Sequence, residues 1–325
     1  MITRRHFLAT TSLLMAGAAL PAWAGAAPAS GGRLVFGLPQ GAVGNILAGG
    51  ALNILAKQFA TDYRLDIIDA QNTQQASNTV KKAAPDGSTL LQAQSGSMVL
   101  FPSVYRSLGY DPLTDFTPLA VMGEYAFALT VGPAVPAQVK TVDQYLSWVK
   151  SNPDYRDIGF TLYGSQSHLV SLILGRSKEI AIRPQSYKTV DSLMGDLRSQ
   201  SLAAAVTIAG STPRMPMEGF RTLAITGNQR LNGLDAPTFA ESGVPNLDIK
   251  GWYGWFAPAN LPAATATAWQ ERLRALQATE DFTALQKSLL LTQAPISPAA
   301  IRQRMSNEMQ EYRKLVSSYG LSQIA

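Results

Sequence analysis

Two textures alternate along this chain: short runs rich in β-branched and aromatic residues, and longer stretches whose apolar residues recur at helical spacing. Arg33 to Leu38 reads as a strand. Asn45 to Phe59 reads as the helix after it, with Ile46, Leu47, Leu52, Leu55, Ala56 and Phe59 on one face. Leu65 to Asp69 is a second strand, Thr73 to Ala84 a helix halted by Pro85-Asp86-Gly87, and Thr89 to Ala93 a third strand. This βαβαβ order is the start of a doubly wound, mainly parallel sheet, so the fold class is α/β.

After Tyr110 the texture changes. Phe116 to Met122 and Tyr125 to Val131 are extended runs with no helix between them, which predicts a crossing into a second domain. Thr141-Val142-Asp143-Gln144 is a capping-box start to a helix ending near Lys150. Ile158 to Leu162, a helix from Ser167 to Leu174, Ile180 to Arg183, a helix from Thr189 to Ser199, Leu202 to Thr207 and Thr222 to Thr226 rebuild an α/β unit. Trp252 to Ala257 is extended again. The last stretch is helical over Ala264 to Leu276, Glu280 to Leu290 and Pro298 to Ser318, the last capped by Ser297.

The N-terminus follows a different logic. Arg4 and Arg5 precede an almost polar-free stretch from Phe7 to Ala19, and no acidic residue occurs before Asp62. Ala22-Trp23-Ala24 then presents small residues at the positions a signal peptidase reads, so residues 1–24 are expected to be a signal peptide. Thr3-Arg4-Arg5-His6-Phe7-Leu8 is similar to the twin-arginine consensus, which implies export of a prefolded protein. A general secretory signal and an uncleaved anchor are the alternatives, and in each case the chain leaves the cytoplasm for the periplasm.

Removing that segment changes the charge picture, because losing Arg4 and Arg5 lowers the formal charge from +5 to +3. With basic residues dispersed, nothing argues for nucleic acid as a partner. There is no cysteine, which excludes disulfides, thiol nucleophiles and thiolate metal sites. His168 is the one imidazole beyond the signal, so multi-histidine metal sites are excluded too. No Gly-x-Ser-x-Gly elbow, Walker A loop or dinucleotide glycine fingerprint is present. No catalytic residue, metal or cofactor is expected, and a monomer is.

Three small, polar, uncharged loops follow predicted strands and open helices, the place where open α/β sheets bind ligands. They are Pro39 to Asn45 with Gly41, Ala42, Gly44 and Asn45; Gln94 to Ser97 with Ser95, Gly96 and Ser97; and Gly164 to His168 with Gly164, Ser165 and Ser167. Such loops suit a carboxylate held by N–H and hydroxyl donors. His168 is either a ligand contact or a structural hydrogen-bonding group. Tyr187 with Lys188 either closes the site or forms a solvated turn. Trp252, Tyr253, Trp255 and Phe256 either stack on a ligand or, as alternating aromatics on a strand usually do, fill the core.

Taken together these segments resemble the Bug-type solute receptors of tripartite tricarboxylate transporters. Pro39 to Ala48 follows that family's Pro-x-x-Gly-Gly-x-x-Asp-x-x-Ala pattern, and Ala83 to Leu90 is similar to its Ala-x-Pro-Asp-Gly-Tyr-Thr-Leu block. Tyr110 to Phe116, Thr141 to Leu146, Ser167-His168-Leu169, Tyr187-Lys188 and Pro237 to Pro245 also match in order. The resemblance implies a two-domain periplasmic binding protein fold, type II-like, that closes like a flytrap on a small carboxylate in the cleft between domains. Residues 25–125 with 250–325 are expected to form one domain and 126–249 the other. The implied partners are a small organic carboxylate and membrane transporter subunits, or, alternatively, a membrane sensor; a cofactor-free hydrolase or isomerase is the remaining alternative.

The departures bear on the ligand. Ala42 replaces a common second glycine, Asn45 a common aspartate, Ser186 a usual proline, and Val206-Thr207 a frequent Asp-Asn pair. Losing acidic positions makes the site less suited to an amino group.

Overall fold

The computed structural model describes residues 31–214, 218–294, 297–320 and 323–324. The expected signal peptide, residues 1–24, lies outside them. In chain order the elements are β1 (Gly32–Phe36), α1 (Val43–Phe59), β2 (Tyr63–Ile67), α2 (Gln74–Lys81) and β3 (Thr89–Gln94). A π-helical turn (Gly96–Leu100) leads into α3 (Phe101–Val104), and β4 runs from Phe116 to Val131. Then come α4 (Val142–Ser151), β5 (Asp157–Thr161), α5 (Gln166–Ser177), β6 (Arg183–Tyr187), α6 (Val190–Arg198), β7 (Ala204–Ile208) and β8 (Arg221–Ile225). Strand β9 (Lys250–Pro258) and helices α7 (Ala263–Gln277), α8 (Glu280–Ser288) and α9 (Pro298–Ser318) complete the chain.

The strands follow the order β2-β1-β3-β9-β4-β7-β5-β6, with β8 on β4. Each end of this curled sheet is parallel, β2-β1-β3 on one side and β7-β5-β6 on the other, as the βαβ pattern predicts. Its middle is antiparallel, with β9 between β3 and β4 and with β7 and β8 both on β4, so the sheet is less parallel than expected.

Strand β4 runs through both halves of the sheet. Its Phe116–Ala126 stretch pairs with β9, and Phe127–Val131 pairs with β7. The sequence predicts two extended runs; they form one strand of 16 residues, whose pairing with β9 shifts register between Pro118 and Ala120 and between Val121 and Gly123, the latter at φ +154°. Strand β9 is buried on both faces, and Trp252, Tyr253, Trp255 and Phe256 are each at most 1% exposed. These aromatics are core; truncating one to alanine would cost about 3–5 kcal/mol.

Local rules account for most element ends. The Thr141 hydroxyl accepts from the Gln144 N–H at 3.2 Å and the Gln144 side chain accepts from the Thr141 N–H at 3.3 Å, forming the predicted capping box. Gly87 takes φ +86° in the turn after α2, where the Asp86 carboxylate accepts from the Ser88 N–H. One strand is displaced from its expected place. The Ile180 N–H closes the end of α5 on the Gly175 carbonyl, and the strand forms later, over Arg183–Tyr187. Being an edge strand, it accommodates Pro184 and polar side chains, which hide its strand character.

Candidate functional site

The site is built where helices begin. Beyond β1 the chain turns at Gly41, with φ +86°, and enters α1 from Ala42 in extended conformation. Ala42 has no side-chain acceptor, whereas α4, α5, α6, α8 and α9 all begin at a Ser or Thr whose hydroxyl accepts a first-turn N–H. The start of α1 is therefore uncapped by its own sequence.

Across the cleft, β5 ends in a loop with Leu162 at φ +68° and Gly164 at φ +78°, and α5 begins at Ser165. The Ser165 hydroxyl accepts from the His168 N–H and shares a 2.8 Å hydrogen bond with Ser167. The starts of α1 and α5 meet at an inner chamber of about 60 Å³, lined by Ala42 and Val43 on one side and Ser165, Gln166 and Ser167 on the other. Tyr125, Phe127 and Tyr253 supply aromatic walls, and every residue lining the chamber is uncharged. Thr207 also lines it, and its hydroxyl is buried without a hydrogen-bond partner among the described residues.

The chamber opens through Leu38, Ala42, Thr161, Leu162, Val190 and Ser211 into an outer cavity of about 720 Å³. This outer space is bounded by residues 69–73, 186–191 and Arg198. It carries charges of both signs, Asp69 and Asp191 against Lys188 and Arg198, all solvent-exposed. Each helix N-terminus carries partial positive charge equivalent to roughly half an elementary charge, and two of them at one uncharged chamber favour a small anionic group.

The structure brings Ala42, Gly96, Ser165 and Ser167 together around the inner chamber and places Gly41, Ala42 and Tyr187 around the outer cavity. The other sequence-derived candidates point elsewhere. A Cβ on Gly44 would stand 2.5 Å from Phe36 and from Tyr253, so Gly44 is a close-approach position for the core, and its carbonyl accepts from Gln92. Asn45 lines neither space; its side-chain amide nitrogen is buried without a partner among the described residues. The Ser95 hydroxyl donates to Gln166 and accepts from the Trp252 N–H, and the Ser97 hydroxyl donates to the Gln94 carbonyl. Both face inward because the chain passes from β3 straight into the π turn, where a loop was expected. Gly164 packs on Val104 and Ile324.

His168 is a structural histidine by its surroundings. Its Nδ1 accepts from the Gly164 N–H at 3.4 Å, its ring lies on Phe160, and burial lowers its pKa to about 4. The Tyr187 hydroxyl donates to Asp196 at 2.8 Å, and burial together with that carboxylate raises its pKa.

Sequence reasoning passed over Gln71, Asn72 and Thr73, three successive non-glycine residues at φ +51°, +51° and +70° that line the outer cavity. Such a run violates local preference and is concentrated at functional clefts. Arg198 was passed over as part of an amphipathic helix face. Among the described residues no cluster of three His, Cys, Asp or Glu side chains is able to hold a metal.

Comparison with known proteins places this architecture. A UPF0065 protein from the TAR-I ttuE-ttuC' intergenic region of Agrobacterium vitis is 26% identical over 248 residues, covering 74% of this chain and 70% of that one. The structure of the periplasmic binding protein BugD superposes with a TM-score of 0.83 at 20% identity, over 92% of this chain and all of that one. R. palustris Rpa4515, solved with adipate, superposes with a TM-score of 0.84 at 24% identity, over 91% and 99%. These likenesses establish the two-domain solute-binding fold. The model of the tripartite tricarboxylate transporter family receptor matches residues 56–316, so this chain belongs to that family of solute-binding receptors.

Proposed function

We propose that this protein is an extracytoplasmic receptor that captures a small organic carboxylate between its lobes and presents it to a membrane transporter. The observation that carries this reading is the convergence of the α1 and α5 N-termini on an uncharged chamber with an orphan hydroxyl. A carboxylate there receives backbone N–H donors and two helix dipoles while its carbon body extends into the outer cavity. The adipate bound by the similar R. palustris protein supports that ligand class.

In this reading residues 25–125 and 250–325 form one lobe and 126–249 the other, joined by β4 and the segment entering β9. The protein acts as a monomer and as a binder, without catalysis. Closure of the lobes on the ligand creates the form that the membrane partner reads. Residues 1–24 direct it to the periplasm through the twin-arginine route, which the Arg4-Arg5 pair supports.

A thermal-shift panel of mono-, di- and tricarboxylates and aromatic acids tests the proposal. A carboxylate at about 1,000 times its dissociation constant adds roughly 4 kcal/mol. For a protein of this size that raises the melting temperature by about 8–16 °C. Stabilisation by neutral sugars or amines with no response to any organic anion would contradict it.

A further inference from the structure

The α5 side of the chamber is anchored outside its own lobe. Gln166, the first residue of α5, is 2% exposed and lines the chamber. Its Nε2 donates to the Tyr312 hydroxyl on α9 at 2.7 Å and to the Lys250 carbonyl at 3.2 Å. Its Oε1 accepts from Ser95, whose hydroxyl in turn accepts from the Trp252 N–H. Both amide hydrogens are thereby used, leaving this side chain none to donate to a ligand. At the other end of the same helix, Arg176 donates to the Ser318 carbonyl at 2.9 Å and lies over the Tyr319 ring at 4.8 Å. Helix α9 therefore grips α5 at both ends, while α9 itself is held to β4 and Trp252 through Arg304 and Glu308.

We propose that Tyr312 is a positioning residue of the binding site: it holds the start of α5 opposite the start of α1, so that both halves of the chamber are in register before a ligand arrives. The proposal rests on the chamber being the binding site. It makes the α5–α9 brace a third connection between the lobes, beside β4 and the segment entering β9. The outer wall at Tyr187–Asp191 belongs to the edge strand β6 and the start of α6, beyond this brace. Closure of the lobes on this view pivots about the brace and brings that outer wall over a chamber already assembled.

The absence of cysteine makes the test direct. Spin labels on K57C, on the exposed face of α1, and K150C, on the exposed face of α4, report the distance between lobes by pulsed electron resonance. In the ligand-free protein the expected result is a narrow distribution, which Y312F and Q166A each broaden toward longer distances. The double variant Y312F/Q166A should go no further than Q166A, because Q166A already removes the Tyr312 contact together with those to Ser95 and the Lys250 carbonyl. Adipate affinity, measured by calorimetry on the folded variants, should fall about tenfold in Y312F. A merely structural role would lower the melting temperature but leave the distance distribution and the affinity of the folded protein unchanged.

Superposable distributions for parent and Y312F overturn the proposal. If Y312F does not fold, Y312W, which fills the site without a hydroxyl at the same place, is compared with the parent, and Q166A, which removes the Tyr312 contact together with those to Ser95 and the Lys250 carbonyl, overturns the proposal if its distribution is unchanged. Failure of the unsubstituted protein to bind any carboxylate counts against the functional reading, and the ligand-free distances still decide whether the brace exists.

Discussion

The imidazole of His168 lies flat on the ring of Phe160, with centroids 4.6 Å apart and planes 4° from parallel. Burial in this packing holds a neutral ring with its pKa lowered to about 4, and Nδ1 accepts from the Gly164 N–H. The unfolded chain binds the proton near pH 6.5, so between pH 6.5 and 4 the unfolded state is the more protonated. The stabilisation from the neutral ring is complete above pH 6.5 and is lost as the pH falls toward 4.

The expected consequence is a loss of about 2 kcal/mol between pH 7 and pH 5 that H168Q lacks. Urea unfolding of both proteins at the two pH values measures it, with the difference between proteins removing the contribution of carboxylates. Equal pH dependence in the two would show that His168 is not held neutral.

Thr207 separates stability from binding. Its buried hydroxyl has no hydrogen-bond partner among the described residues, so T207V should leave the ligand-free stability unchanged or raise it by up to about 1 kcal/mol. If the hydroxyl donates to a bound carboxylate, the same substitution weakens binding about tenfold or more. Denaturant titration and calorimetry on the same preparation give both numbers. A destabilised variant with unaltered affinity would assign Thr207 a packing role instead.

Arg304 is the cation of a largely buried cluster. It bonds Glu124 on β4 and Glu308 on its own helix, and Glu308 also accepts from the Trp252 indole at 2.9 Å. Burial raises the Glu308 pKa against the pull of Arg304. R304M would leave two carboxylates without a cation and should cost about 3–5 kcal/mol in urea unfolding at pH 7. Adding E308Q to R304M should recover part of that loss. A cost under about 1 kcal/mol would mean that the cluster is effectively solvated.

Where local chemistry decides structure, the chain was readable. Thr141 and Gln144 cap α4 as the spacing predicts, Gly87 makes its turn, and the alternating aromatics of β9 fill the core. The loops at Ala42 and Ser165 were legible as helix starts after strands, and the structure brings both to one chamber. The direction of a side chain was not legible. Ser95 and Ser97 sit in a loop-like sequence, yet the π turn points both hydroxyls at protein partners. Strand β6 escaped because an edge strand needs no alternating apolar face. Gln71 to Thr73 escaped because their left-handed backbone is imposed by tertiary packing against local preference. The contact of Gln166 with Tyr312 spans 146 residues, a separation no local pattern encodes.

In the proposed function the N-termini of α1 and α5 together hold the carboxylate. Backbone amide shifts of ¹⁵N-labelled protein, recorded with and without a saturating carboxylate identified in the thermal panel, test it most directly. The largest changes are expected on Val43, Gly44, Gln166 and Ser167, with the amide protons moving downfield as they donate to the anion. Large changes confined to Lys188, Arg198 and the outer rim, with those four amides unmoved, would contradict it.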